Sequence, residues 1–468
     1  MGAAKSRTGP RSVEIVKDNE VLQENEINDI IYPDGTHLVS APNNDIVRLI
    51  CGGIDVHKKV LMAAAAITNP STLKAVYYVK KFSTMNADIS SMANWFKQHG
   101  VTDVVMESTG KYWIPVYNIL EGEGLKPIVT HPKYVKQISG QKTDFRDAIH
   151  MANVFRMDLI ISSFIPPADI RNMRDLCRYL MKLTYIRTSE KNRFQNSMTI
   201  AQIRLDSVFS DPFGTTASRI MDYILSTPKD QVSKDDIFKL IDRRVKAKPE
   251  DIMASIEGFD LSNVQRDKLL IVGQHIKDLD ALIESVLECL YPYKEKYSSY
   301  IDLLKTIPGI GDRAALFIIS EIGVDMSVWR NDASLASWAG LCPANNESAG
   351  KKKSTRIGNG GHYLKPVLVQ CALAAIRSEK NSYYAIKYNR IRSRRGHKKA
   401  IIAIARMMIT AIYHMISNGA TFQPNDLNNE VKTSAKKVEL TVDNTCDYLR
   451  ELGVSEDLIA QVKCQCRK

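Results

Sequence analysis

Asp55 closes an apolar run in GGIDVHKK, Glu107 closes another in VVMESTGK, and Asp144 and Asp147 stand three residues apart in KTDFRDA. Short apolar runs of this kind read as strands, and a spacing of three puts two side chains on one helical face. If the strands ending in Asp55 and Glu107 are neighbours, their carboxylates emerge at one sheet edge, where the helix can add two more. Four converging carboxylates repel one another unless cations lie among them, and hard oxygen donors select Mg²⁺ or Mn²⁺. The chemistry that suits such a cluster is in-line phosphodiester displacement on two metal ions. Each acid alone reads equally well as a turn or helix-start residue; the joint placement carries the expectation. Lys142 and Arg146, beside the acids, suit a phosphate path.

A second group of residues is basic. The segment from Asn345 to Ala400 holds 14 Lys and Arg against two acids, a local excess equal to the +12 of the whole 468-residue chain. Such a concentration favours a polyanionic partner, nucleic acid first, although a solvated basic face has the same composition. Within it, a small Gly-containing loop carries Ser348, followed by Lys351, Lys352, Lys353 and Arg356. A serine hydroxyl attacks phosphorus only where the phosphate charge is neutralised nearby. On chemistry alone Ser348 is not distinguished from Ser354 or Thr355. Farther along, Arg392, Arg394 and Arg395 close a basic helix. Upstream, the Pro-Gly-Ile-Gly turn in LLKTIPGIGDRAALF resembles a helix-hairpin-helix, in which Gly309 and Gly311 let backbone amides approach a phosphate. A plain helical hairpin is the alternative.

The elements that must position these groups follow from periodicity. Residues 1–47 mix acids, Asn, Pro and Gly and read as an extension. From Arg48 the order is three strands, a helix over 87–99, a strand, a helix over 112–121, a fifth strand and a third helix. This β-β-β-α-β-α-β-α string is the ribonuclease H-like order, an α/β domain over 48–168. Residues 169–299 read as a helical connector. In it Leu269, Val272, Ile276, Leu279, Ile283, Val286 and Leu290 follow the three- and four-residue steps of a coiled coil. That seam serves dimerisation or packing inside one chain equally well. A mainly helical domain over 300–420 follows, then a linker and tail over 421–468.

The remaining features narrow the class of protein. Eight cysteines without a CxxC pair fit a reduced compartment, and Cys464 with Cys466 makes a weak zinc motif. The first residues lack the apolar stretch of a secretory signal. The apolar stretch 400–417 is interrupted by Arg406, Thr410 and His414, so it is expected to be a buried helix rather than a membrane span. A cytoplasmic, nucleoid-associated protein with no membrane partner is expected.

The motifs GIDVHKK, MESTGKYW, KTDFRDA, IPGIG and GLCPANNESAGKKKSTRIGNGGHYLK together resemble the IS110 (IS116/IS902-related) insertion-sequence transposases, over roughly residues 50–415. The resemblance implies a RuvC-like DEDD domain with Asp55, Glu107, Asp144 and Asp147 as metal ligands, a coiled-coil segment, and a transposase domain whose serine joins the acids of a partner subunit. The family serine stands in a Ser-(Gly/Ala)-Gly-Lys loop, matched by Ser348-Ala349-Gly350-Lys351, which singles out Ser348. It further implies a homo-oligomer, dimer or tetramer, acting on donor and target double-stranded DNA. A structured non-coding bridge RNA would read the sequence. The stretch before Arg48 and the tail after Ala420 exceed what compact members of the family need. Two other readings compete: a RuvC-like, resolvase-type endonuclease that hydrolyses with water and needs no serine, and a non-catalytic nucleic-acid binder.

Overall fold

The computed structural model describes residues 47–108, 110–134, 144–343, 346–348, 351–354, 356–358, 360–378 and 382–424. It also describes positions 30–31, 37–38, 449, 455–456 and 458–459 near the two ends. The chain forms two compact units, Met1–Ile165 and Pro166–Lys468. The described positions of the N-terminal extension include an antiparallel pair, Ile30–Ile31 (β1) with His37–Leu38 (β2).

The first unit is built on a five-stranded sheet. Its strands are Ile50–Val56 (β3), Val60–Thr68 (β4), Ala75–Ser83 (β5), Asp103–Glu107 (β6) and Lys126–Thr130 (β7), in the spatial order β5-β4-β3-β6-β7. The first three run as an antiparallel meander, while β3, β6 and β7 are parallel neighbours. Parallel strands need crossover helices; Asn86–Gln98 (α1) and Trp113–Gly122 (α2) supply them. Period-two alternation divides the sheet cleanly. Ile54, Leu61, Val104 and Met106 face a core with Met92, Phe96 and Leu120 of α1 and α2. Cys51, Ala64, Ala66 and Val105 face Asp144–Arg156 (α3) on the other side. The element order expected from the sequence is present, and the result is a mixed α/β sheet domain.

Glycine decides how closely α3 approaches. A Cβ at Gly53 would stand 2.5 Å from the Ala152 nitrogen and 2.7 Å from the Ala148 carbonyl oxygen, both backbone atoms. With Ala148 and Ala152 also small and fully buried, the helix lies almost directly on β3. Its C-terminal end is tied down by arginines. Arg48 donates to the Phe155 carbonyl and pairs with Asp158 at 2.6 Å, while buried Arg156 donates to the Leu73 carbonyl and Asn153.

The second unit is mostly helical. Ala168–Ile200 (α4) packs along Asn263–Lys296 (α9). All seven residues of the coiled-coil pattern are buried. The seam is therefore covered within the chain, by α4 and, at Leu269, Val272 and Ile276, also by the short helices that follow α4. Asp169 at the start of α4 accepts hydrogen bonds from Lys296 and Tyr297 at the end of α9, both at 2.5 Å, which hold its carboxyl down at about 2. Between the two long helices, Leu205–Val208 (α5), Thr215–Ser226 (α6), Lys234–Leu240 (α7) and Pro249–Ala254 (α8) close a separate core around Ile220, Ile224 and Ile252.

Beyond α9, Ser298–Lys305 (α10) and Asp312–Ile322 (α11) form a helical hairpin, followed by Asp332–Trp338 (α12). A strand pair, Asn346–Ser348 (β8) and Lys351–Ser354 (β9), precedes Leu364–Ser378 (α13), Tyr383–Arg395 (α14) and His397–Asn418 (α15). By length and composition α15 could cross a membrane, but Ile401, Ile404, Met408, Ile409 and Ile412 are buried where it packs on α12, α13 and α14. A buried pair locks α11 to α4. Arg178 donates two hydrogen bonds, at 2.7 and 2.8 Å, to Glu321, a residue 2% exposed. Arg174 caps the end of α11 through the carbonyls of Ser320 and Glu321.

Candidate metal centre and basic surface

The sheet register places two of the four acids. Ile54 pairs with Met106 across β3 and β6, and the next residue on each strand is Asp55 and Glu107. Both share the parity of Gly53 and Val105, so both project toward α3. There Asp144 is the first helical residue and Asp147 lies one turn on, where acidic side chains also complement the helix dipole. Because Gly53 and Ala148 fix the helix against the strand, its first turn is carried to the end of β3.

The contacts are specific. Among the described residues, Asp55, His57 and Asp144 form a group that offers one donor atom each, all within 4.8 Å of one another. His57 Nε2 is 3.0 Å from Asp55 and 3.5 Å from Asp144. Asp147 stands outside this closest group but acts on Asp55 electrostatically. Glu107 also stands outside it, sharing the sheet edge and the face. Burial pushes the Asp55 carboxyl above its ordinary value; His57 opposes that shift, and Asp144 and Asp147 add to it. The Asp55 side chain is 16% exposed and that of Asp144 58%, so the cluster opens to solvent on the helix side. Three carboxylates within electrostatic reach, joined by an imidazole, are a donor set that fits a divalent cation.

His57 did not figure among the candidate residues drawn from the sequence. It stands in the turn just past β3, where strand periodicity gives no signal. Its main-chain N–H donates to the Val60 carbonyl at 3.0 Å and starts the turn into β4, which keeps the imidazole beside Asp55.

The basic candidates are placed unevenly. Arg146 is exposed on the first turn of α3, whereas Lys142 lies outside the described residues. Ser348, expected in a loop, is the last residue of β8 and pairs with Lys351 at the start of β9. The side chains of Ser348, Lys351, Lys352 and Lys353 lie outside what the structure describes; Arg356, just beyond, is exposed. Arg392, Arg394 and Arg395 are exposed at the corner where α14 meets α15, beside exposed Lys398 and Lys399.

The two glycines of the helical hairpin differ. Gly309 has φ +89°, and a Cβ there would meet the Cys371 carbonyl oxygen at 2.4 Å and the Ala375 nitrogen at 2.7 Å. Its freedom serves packing against α13. A Cβ at Gly311 would meet nothing within 4 Å. At the start of α11, Asp312 pairs with Lys294 and Lys305, each at 2.8 Å, and these two lysines hold its carboxyl down at about 2.

Comparison with known families follows this division. Residues 52–202 match the DEDD domain model of the IS110 transposases, and residues 301–387 match the model described as Transposase IS116/IS110/IS902 family. No curated protein matches the chain. The first match covers every acid of the cluster and the second covers Ser348. The acid-bearing sheet edge, the basic hairpin domain and the two family matches agree: the chain belongs to the IS110 family of insertion-sequence transposases and is a DNA transposase, or recombinase.

Proposed function

We propose that the chain cuts and rejoins DNA strands with Asp55, Glu107, Asp144 and Asp147 holding divalent metal, Mg²⁺ or Mn²⁺ and two ions per site, and with Ser348 as nucleophile. The observation that carries this reading is the convergence of Asp55 and Asp144 donor atoms with His57 between them. When bound, the metal supplies charge neutralisation for the attacked phosphate and its leaving oxygen. The chain's residues do the rest. The strand ends and the first turn of α3 hold the acids at fixed spacing. Lys142, Arg146, Lys351, Lys352, Lys353 and Arg356 bind phosphates. Gly309 and Gly311, in a helix-hairpin-helix, and Arg392, Arg394 and Arg395 extend the grip on the duplex.

Ser348 Oγ loses its proton and forms a bond to phosphorus as the bond from phosphorus to one sugar oxygen breaks, leaving DNA on the serine and a free sugar hydroxyl. A hydroxyl from the exchanged strand then attacks the phosphoserine and releases it. Family resemblance supports three further parts: a homo-oligomer, dimer or tetramer, in which Ser348 of one copy serves the acids of another; a bridge RNA that pairs with donor and target; and a nucleoid-associated setting. It also supports a domain plan of extension (1–47), RuvC-like domain (48–168), coiled-coil connector (169–299), serine domain (300–420) and tail (421–468).

The test uses full-length protein with its co-purified RNA and a DNA substrate. Ser348→Ala is expected to abolish both strand exchange and the covalent protein–DNA adduct seen on denaturing gels. Asp55→Ala and Glu107→Ala are expected to abolish all cleavage. Strand exchange by Ser348→Ala protein would contradict the serine step and favour hydrolysis with water.

A further inference from the structure

The proposed reaction leaves His57 without a role, although it lies at the centre of the acid cluster. Its Nε2 is 3.0 Å from Asp55 Oδ2 and 3.5 Å from Asp144 Oδ1, and each of the three residues offers one donor atom within 4.8 Å of the other two. Donors about 2.1 Å from an octahedral ion lie about 3 Å apart when adjacent and about 4.2 Å apart when opposite. His57 Nε2 therefore stands from each acid at about the spacing of neighbouring ligands on a single ion. His57 is the first residue beyond β3, and the Val60 carbonyl, which accepts its N–H, fixes it in the turn next to Asp55. The side chain is half exposed, so core packing does not account for its position.

We propose that His57 Nε2 is a ligand of the ion held between Asp55 and Asp144, and that this nitrogen biases the centre away from Mg²⁺ toward a transition-metal dication. The inference rests on the reading that the acids hold a divalent ion. The physical reason for the bias is donor softness: Mg²⁺ is satisfied by carboxylate and water oxygen, whereas imidazole nitrogen suits first-row transition metals. The alternative role for His57 is to bridge the two acids in the metal-free protein and swing away when metal enters. That role leaves no nitrogen on the ion.

The two are separated by pulsed electron paramagnetic resonance of the full-length protein loaded with Mn²⁺ alone. The expected result is a nitrogen modulation on the bound Mn²⁺ in the wild-type protein that disappears in His57→Gln. The Mn²⁺ affinity of that variant should fall at least about tenfold, the scale reached by removing groups that merely orient ligands, while its Mg²⁺ affinity changes less. Because residue 57 is half exposed, the variant should melt with the wild-type protein in the absence of metal. Bound Mn²⁺ without nitrogen modulation would overturn the proposal, as would modulation that survives in His57→Gln and so belongs to another imidazole such as His131 or His150. In either case the metal reading stands. If wild-type protein and Asp55→Ala alike take up no Mn²⁺, that reading itself fails.

Discussion

The two units each bury acidic side chains, and they treat them in opposite ways. In the helical unit Glu321 is 2% exposed and receives a two-pronged arginine, Arg178, while Arg174 caps the same helix end. Burial there pulls the Arg174 guanidinium down to about 10, yet every charge has a permanent partner. In the α/β unit Asp55 is also largely buried, with Asp144 and Asp147 within electrostatic range, and burial drives its carboxyl up. Among the described residues, the ion-pair partner of Asp55 and Asp144 is an imidazole, with no lysine or arginine. A compensated buried acid is a structural joint. Two acids that share one imidazole, with burial already raising the carboxyl of the first, make sense where a cation is to be supplied from outside.

The largest test of that contrast is Glu321→Ala. It leaves Arg178 without its carboxylate and should cost about 3 kcal/mol, the range for breaking one side of a buried pair; chemical denaturation should show the midpoint falling at unchanged slope. A loss below about 1 kcal/mol would mean that the pair contributes little and that the contrast is only geometric.

Next is Gly53→Ala, which alters the spacing of the acid cluster without touching a charge. The new methyl meets backbone atoms of α3, so the helix must shift, at about 1–3 kcal/mol. Divalent-metal affinity measured calorimetrically should fall along with stability. Gly311→Ala, with open space around it and outside the acid-bearing unit, is the control for metal affinity, which it should leave unchanged.

The smallest effect has the opposite sign. A carboxyl whose folded-state value is raised favours the fold most when protonated, and that contribution is lost as pH rises through the raised value. Metal-free Asp55→Asn should therefore melt above the wild-type protein at pH 7, and the gap should close as pH falls toward the ordinary aspartate range. Added Mn²⁺ should reverse the order by stabilising only the wild-type protein.

What was legible in the sequence was whatever local periodicity writes. Alternation marked the strands, so Asp55 and Glu107 could be put at strand ends, and a spacing of three put Asp144 with Asp147. The seam from Leu269 to Leu290 was equally plain. Its partner was not, because contact between α4 and α9 joins residues about a hundred positions apart and no local pattern encodes it. Gly53 reads in sequence as a flexible residue; only the register shows that it is where α3 rests. His57 carries no periodic signal of its own, since it stands in the turn just past β3, and only the fold brings Asp144 to its other side. The Ser348 hairpin read as a loop because Gly and Lys depress strand propensity, and cross-strand pairing overrides that preference.

Strand cleavage by this chain requires that the acids of the first unit hold metal. Anomalous diffraction from crystals of the full-length protein grown with Mn²⁺ tests this most directly. A peak bounded by Asp55, Glu107, Asp144 and Asp147, absent in Asp55→Ala, is the predicted result. Mn²⁺ bound elsewhere, in protein whose DNA cleavage still requires metal, would contradict it.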